Sequence, residues 1–153
     1  MSRVIAFPIA RADVVLPGTA HGRVLKLPAL SFWGGIDPAT GRLSDPVAPA
    51  YGECVAGRVL LIAEPRGSSS SSAVMLELLR IGLAPAAVVL GHVDAILGLG
   101  VVVAREMGWP TIPLYRLPAA AHERIADDIN VTITADGAIY RTAATSSGDT
   151  VSA

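Results

Sequence analysis

The pattern of hydrophobic positions changes near Gly57 and divides the chain into two parts. The first part contains short strand candidates at 14–16 and 23–27, with Pro17-Gly18 as the turn signal between them. Residues 31–33 are expected to continue this layer. A long irregular stretch, 34–57, follows and is rich in Gly, Pro and Asp. Loops of this length are usually functional or disordered, and the conformationally specific residues of this one favour a function.

Strands and helices alternate in the second part. Strands are predicted at 58–63, 86–90 and 111–114, and helices at 70–81, 95–107 and 118–126. Gly82 and Gly108 stop the first two helices, and Asp94 can cap the second. The helix at 95–107 is apolar nearly all round, which predicts that it is buried.

A hairpin closes the pattern, because 131–134 and 138–140 flank Asp136-Gly137. A β-rich layer, a βαβαβ region and this hairpin together predict an α/β fold of three layers, with helices packed on mixed sheets. We expect one domain over 1–141. The small polar residues of 142–153 predict a flexible tail.

The composition points to a protein with a partner. Apolar residues make up 52% of the 153 and charged residues 16%, against about 25% charged in ordinary soluble domains. Such a chain buries an unusual share of itself or keeps an apolar surface for another protein, and we favour the partner. The net charge of −1 comes without a basic cluster, which argues against nucleic-acid binding.

Two apolar stretches of the sequence have the character of a targeting or membrane segment in part. The stretch at 4–10 is broken by Pro8 and is no convincing signal peptide. The run at 86–104 has the length of a membrane span, but His92 and Asp94 interrupt it. A buried strand followed by a buried helix is the better interpretation, and a cytoplasmic protein without membrane contact is expected.

The residues that bind metals are too sparse for a metal site. Cys54 is the single cysteine, and one thiolate cannot hold a zinc ion or an iron–sulfur cluster. His21, His92 and His122 are far apart in the sequence. The chain is therefore expected to bind no metal by itself.

A run of five serines, 68–72, stands between a buried strand and an amphipathic helix. Serine hydroxyls and the first N–H groups of a helix converge there, at the positive end of the helix dipole. Gly67 lets a ligand approach the backbone closely. An anion or substrate site is the favoured interpretation. The alternative is plain N-capping, for which one serine suffices.

A second loop, 30–41, combines two aromatic residues, the pair Gly34-Gly35 and the turn Asp37-Pro38. It predicts a rigid loop lined by the aromatic rings of Phe32 and Trp33, with Trp33 beside a ligand. The alternative is a well-packed turn with Trp33 in the core.

The sequence resembles the small subunit, or swivel domain, of aconitase X. The resemblance rests on 31–38 with Gly41, on 57–60 followed by 66–70, and on 84–90, and it spans about 18–114. It implies a swivelling β/β/α fold. It also implies a dehydratase whose iron–sulfur cluster is held by cysteines of a large subunit, so that this chain acts in a heterodimer and is inactive alone.

The resemblance also implies roles for individual residues. Gly67-Ser68-Ser69 is similar to the Gly-Ser-Ser-Arg segment of ordinary aconitases, whose first serine is the catalytic base, and this assigns the base to Ser68. Ser70 stands where those enzymes have a carboxylate-binding arginine, and Arg66 can compensate. The substrate-binding candidates are Arg66, Gly67, Ser69, Ser70, Trp33, Gly34 and Gly35.

The family leaves the hydroxy-acid substrate open. Known activities include dehydration of cis-3-hydroxy-L-proline, which we prefer, and of mevalonate 5-phosphate. A swivelling domain that carries a phosphoryl group on histidine and a purely regulatory subunit are the rival functions. The roles of Cys54, His21 and His92 stay open.

Overall fold

Strand β3 (Ala20–Leu30) is the longest element and joins the two halves of the sheet. The computed structural model describes residues 7–143. The other strands are β1 (Ala10–Arg11), β2 (Asp13–Leu16), β4 (Val59–Pro65), β5 (Ala87–Leu90), β6 (Leu114–Arg116), β7 (Asn130–Ile133) and β8 (Ala138–Arg141). The helices are α1 (Phe32–Gly35), α2 (Ser71–Ile81), α3 (Ala95–Glu106) and α4 (Ala119–His122).

The strands lie in the order β1-β8-β7-β3-β4-β5-β6-β2. The first four residues of β3, Ala20–Arg23, pair antiparallel with β7, whereas its later residues pair parallel with β4. Strands β3 to β6 run parallel to one another, and β2 adds an antiparallel edge on β6. The hairpin β7–β8 and strand β1 complete the antiparallel half.

Alternate residues of the parallel strands supply two separate hydrophobic cores. Leu60 and Ile62 of β4 pack with buried residues of α2 and α3. Val59 and Leu61 point the other way and pack with residues of the antiparallel half, such as Val131. The period of two is the one expected of a strand buried on both faces. The result is three layers, helix, parallel sheet and antiparallel sheet, as the sequence predicts.

Several local predictions are confirmed. Helix α2 ends at Gly82, whose φ of 76° is left-handed and favours glycine. The side chain of Asp94 accepts hydrogen bonds from the N–H groups of Ile96 and Leu97, at 3.1 Å each, and so caps α3. The terminal hairpin forms around Gly137, with φ of 87°. No helix between residues 7 and 143 has the length and apolar character to cross a membrane.

Other local predictions are wrong. Residues 31–33 do not continue a strand, because Phe32–Gly35 is a single distorted helical turn. Strand β6 begins at Leu114 rather than at 111, and the helix expected at 118–126 covers Ala119–His122. Helix α3 buries one face alone, as described below. Of the predicted tail, 142–153, residues 144–153 lie outside the described range.

Candidate functional site

The loops that follow β3 and β4 lie side by side, because parallel strands end at the same edge of a sheet. We call residues 31–35 the tryptophan loop and residues 66–70 the serine turn. The backbone N–H of Arg66 donates to the carbonyl of Leu30 at 2.9 Å and joins the two where they leave the sheet. This edge brings together all the residues for which the sequence predicts a site.

The serine turn leads directly into α2. The Ser68 hydroxyl oxygen accepts a hydrogen bond from the N–H of Ser70 at 3.3 Å, and the Ser68 carbonyl accepts from the N–H of Ser71 at 3.1 Å. No side-chain hydrogen bond from Ser70 caps the helix. Ser68 is half-buried and Ser69 is exposed. The Ser68 oxygen thus has a backbone donor and lies at the positive end of a helix, and both favour negative charge on it.

The tryptophan loop turns its two aromatic rings in different directions. Phe32 is 3% exposed and belongs to the core, whereas Trp33 is 59% exposed. Gly34 permits the change of direction with a left-handed φ of 79°. Trp33 lines a cavity of about 320 Å³ with Ser70 and Glu77. The alternative interpretation, with Trp33 in the core, is therefore wrong.

A cavity of about 410 Å³ lies between the tryptophan loop, the serine turn and the irregular loop that follows. Arg66 lines it together with Trp33, Gly34 and Gly35, all of which the sequence nominates. Asp45 and Ser44 also line it, and the hydroxyl of Ser44 donates to the carbonyl of Gly34 at 3.1 Å. Sequence reasoning missed these two residues. Asp45-Pro46 was visible as a turn signal, but nothing local shows what its carboxylate faces.

Gly67 lines a neighbouring cavity of about 320 Å³ with His92 and Asp94, at the beginning of α3. His92 Nε2 lies 2.9 Å from Glu64 Oε1, and this hydrogen bond raises the pKa of His92 above its ordinary 6.5. A Cβ on Gly91 would collide with the carbonyl oxygen of Ala63, so the chain needs glycine directly after β5. Six of the predicted residues thus line three cavities rather than a single pocket, whereas Ser68 and Ser69 line none of these three.

The other open candidates lie elsewhere. His21 is exposed at the opposite end of β3, with Nδ1 3.1 Å from the hydroxyl of Thr132. The thiol of Cys54 donates to the carbonyl of Thr40 at 3.7 Å. Neither side chain lines the cavities of the serine turn or the tryptophan loop.

The sequence of this chain is similar to those of known proteins, and the similarity identifies its family. A family model described as the aconitase X swivel domain matches residues 9–141. The chain belongs to this family. The phosphomevalonate dehydratase small subunit of Aeropyrum pernix is 35% identical to this aconitase X swivel domain over 130 residues, which cover 84% of this chain and 89% of that one.

A second relative and a solved structure are also similar to this aconitase X swivel domain. The cis-3-hydroxy-L-proline dehydratase of Pseudomonas aeruginosa is 43% identical over 101 residues, which cover 65% of this chain but 17% of that protein. The crystal structure of Thermococcus kodakaraensis aconitase X in its holo-form matches with a TM-score of 0.74 and 25% identity, over 87% of this chain and 97% of that chain. The swivelling β/β/α fold expected from the sequence is confirmed.

The donor atoms of this aconitase X swivel domain do not fit an iron–sulfur cluster. The chain has one cysteine, and cluster binding uses several thiolates. In the described range, 7–143, no three side chains of His, Cys, Asp or Glu are grouped so as to hold a metal ion. No reaction step on this chain can therefore be derived through such a cluster.

Proposed function

We propose that this chain is the small subunit of an aconitase X-type hydro-lyase, which removes water from a hydroxy acid together with a large subunit. The observation that carries the proposal is the serine turn, because it holds a hydroxyl oxygen at a helix N-terminus beside open cavities. The likeness to a chain named as a dehydratase small subunit, over most of both lengths, supports the same assignment.

Ser68 is the proposed general base. Elimination of water needs a base that takes a proton from the carbon next to the one that loses the hydroxyl group. A serine oxygen can do so only as an alkoxide, and positive potential must stabilise that form. The N–H of Ser70 and the N-terminus of α2 supply such potential.

The neighbouring residues are proposed to bind the substrate. Arg66 offers a guanidinium group to an anionic group of the ligand, and Trp33 offers an exposed ring. Gly34, Gly35 and Gly67 leave room for a ligand to approach the backbone, while Ser69 and Ser70 add polar groups beside the base.

We propose that the large subunit holds the iron–sulfur cluster and that this chain is inactive alone. The single cysteine supports this division, because one thiolate cannot hold a cluster. Exposed Trp33 lies on the tryptophan loop, and exposed Val47 and Tyr51 lie on the irregular loop that follows it. These side chains supply the apolar surface that a partner covers.

The proposed substrate is cis-3-hydroxy-L-proline, which gives a pyrroline-2-carboxylate after loss of water and tautomerisation. Mevalonate 5-phosphate is the alternative. It carries a phosphate and a carboxylate, and the cavity of about 410 Å³ offers them one cationic side chain, Arg66. The scarcity of cations beside the serine turn favours the hydroxyproline.

The experiment is reconstitution with the large subunit of the same organism. Each subunit alone and the two together are assayed for water loss from both substrates. We expect turnover of cis-3-hydroxy-L-proline by the mixture alone. Full activity of the large subunit by itself would leave this chain a regulatory or carrier role. Turnover of mevalonate 5-phosphate instead would replace the proposed substrate by the alternative.

A further inference from the structure

We propose that Asp45 and Arg66 form a binding site for a zwitterion, in which Asp45 takes the cationic group of the ligand and Arg66 its carboxylate. The inference rests on the proposed function and deepens it, because it names Asp45 as a residue that selects an amino acid over a phosphorylated hydroxy acid. The ligand class is a small amino acid with its charges close together.

The cavity of about 410 Å³ has one side chain of each charge. Asp45 and Arg66 are the two charged residues that line it; the rest of its wall consists of apolar side chains, serines and glycines. The two do not neutralise each other, since neither makes an ion pair with any residue in the described range, 7–143. One positive and one negative side chain are thus both open to a ligand.

The Asp45 carboxylate is held in place by the backbone of its own turn. Its Oδ1 atom accepts the N–H of Val47 at 3.1 Å, and its carbonyl accepts the N–H of Ala48, also at 3.1 Å. Pro46 restricts the turn between them. Oδ2 makes no hydrogen bond with any described residue. One carboxylate oxygen is fixed by the backbone and the other is left for a donor on a ligand.

Arg66 is held by its backbone alone. Its N–H bonds to Leu30 at 2.9 Å, while its guanidinium makes no hydrogen bond or ion pair with residues 7–143. Guanidinium groups suit carboxylates because two N–H groups can bind both oxygens. The exposed ring of Trp33 lines the same cavity and can cover the aliphatic part or the cation of a ligand.

Opposite charges in one cavity discriminate between the two proposed substrates. A cyclic hydroxy amino acid carries an ammonium next to its carboxylate and can satisfy both side chains at once. A phosphorylated hydroxy acid has two anionic ends and no cation, so it must leave the Asp45 carboxylate facing a negative group. Like charges brought together in this way lower affinity for the wrong ligand.

The test measures binding to the two-subunit complex by calorimetry, with L-proline and with cyclopentanecarboxylate. The second ligand keeps the ring and the carboxylate but lacks the nitrogen, and neither ligand has a hydroxyl group to lose. We expect D45N to weaken L-proline binding about tenfold or more and to leave cyclopentanecarboxylate unchanged. Asparagine retains an oxygen for the N–H of Val47, so the loop keeps its turn. R66Q is expected to weaken both ligands.

D37N is the matched control. The Asp37 Oδ1 atom accepts the N–H of Ala39 at 2.9 Å in a similar turn of the same loop, but Asp37 does not line the cavity. Its substitution should leave both affinities unchanged.

Three results would overturn the inference: no preference of the wild-type complex for L-proline, an equal loss for both ligands in D45N, or the same loss in D37N. Binding is measured without turnover, so the two proposals fail separately. A complex that selects L-proline but dehydrates neither substrate refutes the proposed function and keeps the zwitterion site. A complex that dehydrates a hydroxy acid without selecting L-proline keeps the proposed function and refutes the zwitterion site.

Discussion

Ser68 differs from its serine neighbours in what its side chain contacts. Its hydroxyl oxygen accepts one backbone N–H in a turn that precedes the helix, so it does not cap α2 by itself. If it is the base, S68A should lower kcat of the reconstituted complex by about 10²–10⁴-fold, the usual contribution of a positioned base. Loss of one such hydrogen bond costs about 1 kcal/mol of stability. Steady-state kinetics and urea unfolding separate the two effects.

Ser71 provides the control for that experiment. It is buried, and its hydroxyl oxygen has no hydrogen-bond partner in the part of the chain that the structure describes. S71A should keep full turnover and raise the free energy of unfolding by about 1 kcal/mol, because a buried hydroxyl without a partner is unfavourable.

The S68A variant also has an outcome that contradicts the assignment of the base. Near-normal turnover in S68A would show that the base comes from the large subunit.

At the residue scale, the sequence predicts the identity of much of the site but not its division into cavities. Ser68, Arg66 and Trp33 stand out because their neighbours form local patterns, a strand end, a helix start and a glycine pair. Asp45 is 21 residues before Arg66 and lines the same cavity. Such proximity depends on how the irregular loop folds back, and no local pattern encodes it.

Helix α2 and helix α3 show how far element prediction reaches. The bounds of α2 follow from its apolar stripe and from Gly82. For α3 the bounds are also close, but the prediction of complete burial is wrong. Leu97 and Val101 are buried, while Leu99 is 55% exposed and Ile96 39%. An apolar composition all round does not say how many faces the rest of the fold covers.

Substitutions on α3 test this one-sided burial. L99S should change the free energy of unfolding of the chain by less than about 0.5 kcal/mol, since surface substitutions have small effects. L97A should lower it by about 2–5 kcal/mol, because Leu97 is 1% exposed and its removal leaves a cavity. Urea unfolding of both variants gives the comparison. A similar large loss in both would contradict the exposed position of Leu99.

Helix α4 ends in a histidine with a predictable response to pH. His122 is buried, its Nε2 donates to the carbonyl of Leu117 at 2.7 Å, and burial lowers its pKa below 6.5. The folded state therefore favours the neutral ring. The resulting stability is complete above the unfolded pKa and is lost as the pH falls through the lower, folded pKa.

We therefore expect the free energy of unfolding to fall between pH 8 and pH 5, and less steeply in H122Q, as measured by urea titrations. H21Q is the control, because His21 is exposed. The raised pKa of His92 acts in the opposite direction, but its pair with Glu64 is in solvent and contributes little. An identical slope in wild type and H122Q would refute this assignment.

On the scale of the whole molecule, Arg58 connects distant segments. It is 8% exposed. Its guanidinium donates to the carbonyls of Arg23 and Val24 at 3.0 Å each, to Glu53 at 2.9 Å and to Asp128 at 3.4 Å. These partners lie on β3, in the irregular loop and in the turn before β7. The sequence shows Arg58 merely as the first residue of a strand.

R58M keeps most of the side-chain length and removes these hydrogen bonds. The carbonyls of Arg23 and Val24 lose a charged donor and exposed Glu53 loses its ion pair, whereas Asp128 keeps its ion pair with Arg23. We therefore expect the free energy of unfolding to fall by about 1–3 kcal/mol. R80M is the matched control, since Arg80 pairs with Glu77 on the exposed face of α2 and should matter little. Thermal and urea unfolding test the pair. Equal stability of R58M and wild type would contradict the connecting role.

The three-layer arrangement follows from the order of elements, but the pairing of strands does not. β2 and β3 are neighbours in the sequence with a turn between them, yet β2 pairs with β6 and β3 with β4 and β7. The alternation of hydrophobic and polar residues indicates which face of a strand is buried. It does not indicate which strand is the partner, because pairing is decided by contacts between segments as far apart in the sequence as Ala10 and Ile139.

One strand with its first residues in one sheet and its last in the other has a mechanical consequence. Neither half of the sheet can separate without breaking the ladder of β3, so the backbone amides of both halves should exchange with deuterium in a single global opening. The serine turn and the tryptophan loop are attached to the end of that same indivisible body. Any rotation of the domain toward a partner then moves both loops together, with the distance between them unchanged.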